Sequence, residues 1–528
     1  MASVAGNPPR RAAAPPQVVP SPEEDVALLP VANPVLLAIG VMTASLLQVL
    51  DSTIANVAIP RMQTALGATP DTISWVLTSY IMATAIAMPI TGWLADRFGS
   101  RRLFIFSVAG FVVSSMLCGM AQNIEQMVAF RALQGATGAF ISPLSQAAMI
   151  DTNKPSRQPQ MMALWGMGIM VGPILGPILG GWLTENWNWR WVFYVNVPLG
   201  ALSLAILFAA LPSRRIERRR FDHIGFGLLA VTLVAVQLLL DRGHQIDWFD
   251  SPEAWLYLGL ALSAGWVGTI HLATARGPLF DRRLFADRNF ALALLFSLVI
   301  GVSMFATMAL LPPMLQSLFG YSVIDTGMVL MPRGVGTLIA MQLSGLLVRK
   351  GFDGRILIAT GLTISGLSMA QMAGWSLAVD EFNLTLSGFV QGLGMGLVFI
   401  PVNSSAFATL PPLLRTEGAS LLNLLRSIGS SIGISAVIAL LARNTQVAHA
   451  DLAARVTASF TELVDFSSLD RFQAAGEAAL GMVNAEVTRQ AAMIGFIDDF
   501  YAMMWLNFAA VPLVLLMRRV RPGEIAGR

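Results

Sequence analysis

Long apolar segments recur along this chain of 528 residues, each about 18 to 25 residues in length. A helix of about 20 such residues crosses the roughly 30 Å of hydrocarbon in a bilayer. The segments lack the alternation of barrel strands, and only 12% of the residues are charged, against about 25% in soluble proteins. Because backbone groups in lipid must form their hydrogen bonds internally, the sequence predicts an all-α, multi-pass membrane protein.

Fourteen spans are predicted, an even number that puts both termini on one side. The short loops of that side hold 22 lysines and arginines, whereas those of the other side hold only Arg61, Arg190 and Arg242. The positive-inside rule therefore makes both termini cytoplasmic. The predicted spans are residues 35–59, 72–95, 103–122, 125–149, 160–181, 191–211, 223–241, 253–273, 289–312, 323–347, 355–375, 384–408, 417–441 and 500–518.

An internal repeat divides the spans into two six-helix halves around a two-helix insert. Gln134 aligns with Gln391 at an offset of 257, and loop 92–102 aligns with loop 345–355 at an offset of 253. Parallel six-helix repeats around a site near the bilayer midplane are typical of rocking secondary transporters. The predicted divisions are a disordered cytoplasmic tail (1–33), an N-terminal half (34–212), the insert (213–275), five helices of the C-terminal half (276–441), a periplasmic helical loop (442–499), and the last span with its tail (500–528).

Residues 442–499 separate the last two spans on the outer side. Their apolar residues are spaced for amphipathic helices, and no run is long enough to span. Two interpretations remain open: a helical pair packed on the outer mouth, or a docking surface for a periplasmic partner.

A carboxylate stands inside the first span, in "LLQVLDSTIANVAIP" at residues 46–60. Asp51 lies about 12 Å of helix from the outer end of its span, and Arg131 lies about 10 Å from the outer end of the fourth, so their depths are similar. Arg131 cannot lose its charge, and ionisable groups inside a membrane usually serve function. We predict that Asp51 carries the proton beside Arg131 in a cavity open to water on either side in turn. The alternative is a static buried ion pair.

The loop "GWLADRFGSRR" predicts a conformational latch on the cytoplasmic face. Its glycines allow close helix approach and a tight turn, and its acid can pair with nearby arginines in one access state. Topology alone would need the basic residues but not the acid. The predicted latch residues are Gly92, Asp96, Arg97, Gly99, Arg101 and Arg102.

Together these stretches resemble the major facilitator superfamily. "GWLADRFGSRR" matches its loop signature. "LDSTIANVAIP", "RALQGATGA", "WGMGIMVGPILGPILGGW" and "WRWVFYVNVPLG" are similar to signatures of spans one, four, five and six in its fourteen-span drug:proton antiporter family, of the EmrB/QacA type. The resemblance implies an exporter of a Gram-negative inner membrane. It also implies two partners, a periplasmic adaptor (a membrane fusion protein) and an outer-membrane channel.

The fifth span carries the antiporter signature of that family. Small residues allow intimate helix packing, and prolines kink a helix. We expect this span to form a tight seam between the halves that seals the cavity against proton leak; packing alone is the alternative. The residues are Gly168, Gly172, Pro173, Gly176, Pro177 and Gly180.

Polar residues inside the spans either line a substrate cavity or join helices by hydrogen bonds. Asp325, at the outer start of span ten, is interpreted as a helix N-cap rather than as a second protonation site. Arg333 and Arg426 are either interfacial or second-half counterparts of Arg131. The candidate cavity residues are Gln48, Asn56, Gln134, Gln146, Asn403 and Asn423.

The predicted function is proton-coupled efflux of amphipathic drugs or other hydrophobic compounds by alternating access. The alternatives are export of one endogenous metabolite or fatty-acid-like compound, and solute:proton symport, which the fifth-span signature disfavours. The sequence has no Walker loop, HExxH motif or credible Ser/His/Asp set, which argues against an ATP-driven pump or an enzyme. The four histidines and the single Cys118 show no metal-ligand spacing, so no metal, cofactor or disulfide is predicted. The basic residues mark topology, not a nucleic-acid site.

Overall fold

The computed structural model describes residues 26–212, 220–455 apart from residues 244 and 247, and 473–519. The regular structure in these residues is helical; most of the predicted tail 1–33 lies outside them. The α-helices are α1 (Pro34–Leu66), α2 (Pro70–Ala87), α3 (Thr91–Phe98), α4 (Ser100–Met120), α5 (Ile124–Gly138), α6 (Ile141–Asp151), α7 (Gln158–Asn186), α8 (Trp191–Tyr194), α9 (Asn196–Ala210), α10 (His223–Arg242), α11 (Pro252–Thr274), α12 (Arg282–Ala286), α13 (Arg288–Leu318), α14 (Val323–Arg349), α15 (Gly354–Ala373), α16 (Glu381–Ala408), α17 (Arg415–Arg455) and α18 (Gln473–Ala510).

Twelve helical segments of the described residues are long and apolar enough to cross a membrane. Two predicted spans are not among them. The fourth is divided into α5 and α6 ahead of Pro143, which has no N–H to donate to the carbonyl of Ala139. The tenth is α14, which carries Arg333 near its middle. The all-α, multi-pass fold is confirmed, while the count of fourteen stays a prediction.

The packing of the helices repeats between the halves. In the first half α1 packs on α7, α2 on α5, and α4 on α5 and α9. In the second half the same pattern recurs, with α13 on α17, α14 on α16, and α15 on α16 and α18. The insert helix α10 contacts both α2 and α17, and therefore touches both halves. This recurrence is what the sequence repeat predicts.

The two ends of the bundle differ. One end, which we call the basic end, holds the loops around Arg97, Arg101, Arg349 and Arg355. At the opposite end, residues 442–455 of α17 and 481–494 of α18 form the outer hairpin, where His449 Nε2 lies 3.1 Å from Asn484 Oδ1.

The outer hairpin is continuous with the spans on either side of it. The sequence divides spans 417–441 and 500–518 from a separate helical loop at 442–499, but α17 runs through 441 unbroken and α18 begins at Gln473. The residues between them, 456–472, lie outside the described part. With 41 residues, α17 is about 60 Å long, roughly twice the thickness of the hydrocarbon.

Ser322, not Asp325, is the N-cap of α14. The Ser322 hydroxyl oxygen accepts from the Asp325 backbone N–H at 3.1 Å and the hydroxyl donates to Asp325 Oδ2 at 2.7 Å. The expectation of an N-cap at Asp325 is therefore wrong by one turn. The acid occupies the third helical position, from which a side chain reaches back to the cap.

Candidate functional site

Asp51 and Arg131 are in direct contact in the interior of the first half. Arg131 Nη1, from α5, lies 2.7 Å from Asp51 Oδ2, in the middle of α1. Both side chains are 0% exposed. The similar depth expected from the rise per residue is thus realised as an ion pair between two helices 80 residues apart in sequence.

Two amides complete the shell of the carboxylate. Gln134, one turn along α5, donates from Nε2 to Asp51 Oδ1 at 2.9 Å and accepts from Arg131 Nη1 at 2.8 Å. Asn196, at the start of α9, donates from Nδ2 to Asp51 Oδ1 at 2.7 Å and to Ser115 Oγ at 2.9 Å. Asp51 therefore joins three helices of the first half, α1, α5 and α9, Asn196 extends the network to α4, and Gln134 belongs to this shell.

Backbone and aromatic groups fix the guanidinium of Arg131. Its Nε donates to the Val76 carbonyl at 3.1 Å, and its Cζ lies 4.3 Å from the centroid of the Tyr80 ring. The ring of Phe193 lies 5.8 Å away on α8. Such faces attract a desolvated cation. Arg131 Nη2 is buried and has no hydrogen-bond partner in the described residues, so one donor remains available.

The Asp51 carboxylate is sealed in this conformation. The sequence leads us to expect it in a cavity open to water, but the side chain has no exposed surface. Arg131 and Gln134 of α5 and Asn196 of α9 surround it. A proton can therefore reach this carboxylate only when α1 or its neighbours move.

Three of the candidate cavity residues form a polar cluster between the halves. Gln146 on α6 donates from Nε2 to Asn403 Oδ1 at 2.7 Å, and its Oε1 accepts from Asn423 Nδ2 at 3.0 Å. All three side chains are buried. In this state they join helices across the interface, which is the alternative that the sequence left open.

The other candidate cavity residues are not part of this cluster. Gln48 on α1 is buried, and its Oε1 accepts from the Ser142 hydroxyl at 2.7 Å. Asn56 is exposed. The structure thus distributes the six candidates among the acid's shell, the interface between halves, the α1–α6 contact and the surface.

The glycines of α7 pack against α1, within the first half. A Cβ at Gly168 would lie 2.9 Å from Met42, one at Gly172 would lie 2.9 Å from Val49, and one at Gly180 would lie 2.9 Å from Ile54. A Cβ at Gly176 would overlap the Thr53 hydroxyl. The expected seam between halves is therefore wrong for these residues: spaced four apart, they lie on the face of α7 that meets α1. Pro173 and Pro177 lie inside α7, which continues unbroken through both.

A different face of α7 makes the contact between halves. There the small residues belong to α14: a Cβ at Gly334 would overlap Ile174, and one at Gly345 would lie 2.7 Å from Ala163. Near the outer end, a Cβ at Gly327 would lie 3.4 Å from the Ile178 side chain. This contact, which we call the α7–α14 seam, runs from the basic end to the hairpin end.

The predicted latch residues lie at the basic end, and some approach the second half. A Cβ at Gly92 would lie 3.1 Å from the Glu417 side chain on α17, so a larger residue would push α3 from α17. Gly99 has φ +89°, which favours glycine. Arg101 donates from Nη2 to the Phe208 carbonyl at 2.6 Å and Arg97 lies over Trp93, both within the first half. Asp96 is half-buried and Arg102 is exposed.

An ion pair that the sequence did not predict crosses the halves at the basic end. Arg415 Nη1 lies 3.0 Å from Asp151 Oδ1, and the side chains are 9% and 4% exposed. Arg349 also donates to Gln160 across the interface, at 2.9 Å. With the Gln146 cluster, these contacts join the two halves near the basic end.

Sequence reasoning also missed Asn196. It stands in "WRWVFYVNVPLG", a stretch noted only for its resemblance. Its signal is a buried amide in an apolar run, the criterion by which Gln134 was chosen.

Comparisons with known proteins identify the family of this chain and its fold. The sequence model of the Major Facilitator Superfamily matches residues 41–434. The multidrug export protein EmrB of Escherichia coli K12 is 32% identical over 490 residues, which cover 91% of this chain and 94% of that protein. The fatty acid resistance protein FarB of Neisseria gonorrhoeae is 33% identical, with 92% and 96% covered. The solved structure of the proton:xylose symporter XylE superposes with a TM-score of 0.62 at 11% identity, covering 93% of this chain and 97% of that one.

Proposed function

The chain belongs to the major facilitator superfamily and is a multi-pass membrane transporter, and from this premise we propose that it exports amphipathic drugs or other hydrophobic compounds across the inner membrane in exchange for protons. The names of the relatives, a multidrug export protein and a fatty acid resistance protein, support efflux. The observation that carries the proton coupling is the buried Asp51 carboxylate with its arginine and two amides.

The proposed proton step occurs at Asp51 Oδ2. When a proton binds there, the carboxylate becomes neutral and Arg131 loses its counterion, while the guanidinium stays charged. An unpaired buried guanidinium is costly, so the protonated state favours a rearrangement in which Arg131 finds water or another acceptor. Release of the proton on the other side restores the ion pair. The movement of α1 that exposes Asp51 therefore couples proton transfer to a change of access.

The proposed access state of this conformation is outward-facing. The basic end, which we assign to the cytoplasm on its arginine content, is held closed by Asp151–Arg415 and by the Gln146 cluster. In the inward-facing state these contacts must break together with the approach of Gly92 to Glu417. The latch thus includes Asp151 and Arg415 besides the predicted loop. Both termini are then cytoplasmic.

The test is Asp51→Asn in proteoliposomes containing a pH-sensitive dye. Asparagine keeps the size of the side chain and cannot carry the proton, so addition of a substrate should no longer release protons, whereas the wild type should. Substrate counterflow without a proton gradient should persist, because the cavity is intact.

Asp325→Asn is the matched control, since that acid lies at the first turn of α14 and its partner is a serine hydroxyl. It should leave proton release unchanged. Undiminished proton release in Asp51→Asn would remove Asp51 as the carrier.

The proposed partners are a periplasmic adaptor and, through it, an outer-membrane channel. The outer hairpin projects beyond the spans, and most of its described side chains are exposed. A pair of helices that extends an integral span transmits movement of α17 directly to whatever binds its tip. This supports the docking interpretation over a pair lying on the outer mouth.

A further inference from the structure

Two arginines inside the second half lack the counterion that Arg131 has in the first. Among the described residues, no carboxylate forms an ion pair with Arg333 on α14 or with Arg426 on α17. A guanidinium that has left water without an anion costs several kcal/mol. Two intramembrane arginines without a paired acid in one half therefore call for an explanation.

Arg426 lies at the meeting point of the halves. Its Cζ is 4.6 Å from the centroid of the Phe399 ring, and that ring stacks at 6.4 Å on Trp165 of the first half. Its one hydrogen bond in the described residues is a long one, 3.3 Å from Nη1 to Asn423 Oδ1. Nε and Nη2 are buried and have no partner there. These two nitrogens form the edge of the guanidinium that binds a carboxylate or phosphate through two hydrogen bonds.

Arg333 reaches the same part of the second half from the opposite side. Its Nη2 donates to the Met304 carbonyl on α13 at 3.0 Å. The backbone of Arg426 packs on Gly301 of the same helix, one turn away. On α16, a Cβ at Gly388 would lie 3.6 Å from the Arg333 Cβ, so Gly388 faces this arginine. Both side chains are partly exposed, unlike the sealed Arg131.

The internal repeat shows what replaced the acid. At the offset of 253, Tyr80 corresponds to Arg333 and Asp51 to Met304; at the offset of 257, Arg131 corresponds to Gly388. In the first half the arginine on α5 faces the tyrosine on α2. In the second half the arginine has moved to the other helix, a glycine takes its former place, and a methionine carbonyl stands where the acid was. The second half thus has an arginine at the position of Tyr80 and a methionine at the position of Asp51.

We propose that Arg333 and Arg426 form a binding site for the anionic head group of an amphipathic acid, a carboxylate on a long apolar chain, during its export. The proposal rests on the proposed function, since it names a substrate class for the same transporter. The head group supplies the two missing acceptors at Arg426 Nε and Nη2. The apolar part of the ligand lies against Phe399, which is beside Arg426, against Met304, which is beside Arg333, and against Met341, which with Phe399 faces Gly166.

The experiment measures binding of radiolabelled dodecanoate to the purified full chain in nanodiscs of zwitterionic lipid, without a proton gradient. Arg426→Gln should weaken binding about tenfold or more, because a hydrogen bond to a charged group is lost and each tenfold corresponds to 1.4 kcal/mol. Arg333→Gln should weaken it similarly. Arg426→Lys keeps the charge but not the two-pronged geometry and should give an intermediate loss.

Arg443→Gln is the matched control, an exposed arginine on the same helix as Arg426. It should bind dodecanoate as the wild type does. Dodecanol, which has the chain without the charge, should bind equally to wild type and Arg426→Gln. Unchanged dodecanoate binding in both Arg333→Gln and Arg426→Gln would overturn the proposal. A loss of dodecanol binding in Arg426→Gln as large as the loss of dodecanoate binding would also overturn it, since it would indicate damaged packing.

A lipid phosphate can accept the same hydrogen bonds from arginine as a carboxylate. A second arm of the experiment therefore distinguishes a lipid from the exported acid. If the site holds the exported acid, dodecanoate should bind equally in nanodiscs with and without phosphatidylglycerol. If adding phosphatidylglycerol abolishes dodecanoate binding to the wild type, the site belongs to a lipid and the proposal fails. Because no arm uses protons, a failure of Asp51 as proton carrier would leave this result unaffected.

Discussion

Single glycines determine how closely α7 approaches α1. Gly176 lies directly against the Thr53 side chain, and the Thr53 hydroxyl donates to the Gly172 carbonyl at 3.3 Å. Gly181, on the same helix, has no atom within 4 Å of the place its Cβ would occupy. Two glycines five residues apart thus differ completely in the space around them. The glycines that meet α1 therefore set the distance between the two helices, and Gly181 does not.

Gly176→Val should therefore lower the thermal stability of the purified protein, and Gly181→Ala should not. Overpacking of a tight contact costs about 1–3 kcal/mol. Melting followed by tryptophan fluorescence in detergent measures the difference. Equal melting temperatures for Gly176→Val and the wild type would show that α1 and α7 separate at no cost.

At the scale of elements, the outer hairpin is joined to the spans by helix that continues without a break. Leu441 and Thr445 pack on Gly495 near its base, and His449 contacts Asn484 further out. The base is thus packed, while most side chains of the described tip are exposed. Loss of the tip should leave the packing of the spans intact.

Replacement of residues 450–483 by a short Gly-Ser linker should spare transport in vesicles and abolish resistance in cells. Vesicle transport needs only the bundle, whereas efflux across two membranes needs the adaptor. Drug uptake into inverted vesicles and growth in the presence of drug are the two measurements. A loss of both activities would assign the tip a structural role, and full resistance would exclude docking there.

At the scale of the whole molecule, a buried ion pair joins the two halves at the basic end. Asp151 ends α6 of the first half and Arg415 begins α17 of the second, so this contact joins the last turn of one helix to the first turn of the other. Removing one partner of such a pair leaves an uncompensated charge and costs about 3–5 kcal/mol. A conformation with the basic end open does not form this ion pair, so the loss of one partner does not destabilise it in this way.

Arg415→Gln should shift the population toward the open basic end. Spin labels at Phe98 and Leu413, exposed residues of the two halves, report the separation there. We expect a longer distance between the two labels in Arg415→Gln than in the wild type. The double variant Asp151→Asn/Arg415→Gln should give an intermediate distance, because it leaves no unpaired buried charge. Native Cys118 is buried and does not take up label. An unchanged distance in the single variant would show that other contacts hold the closure.

The sequence predicted much of the site because depth in a membrane is readable from the rise of a helix. That is why Asp51 and Arg131 could be set at one level before their contact was seen. It could not predict Asp151–Arg415, since these residues are 264 positions apart and each stands at a helix end, where charges also mark topology. The face of α7 was misjudged for another reason: the helix is apolar all round, so its periodicity does not tell which neighbour meets its glycines.

The α7–α14 seam has one more consequence. It extends from the basic end to the hairpin end, with glycines of α14 against Ile174, Ile178 and Ala163 of α7, so in the proposed cycle it is the line about which the halves would rotate without separating. The Asp151–Arg415 pair and the Gln146 cluster would then form and break on one side of that line. In that cycle lipid would stay excluded along the line, and the substrate would pass beside it.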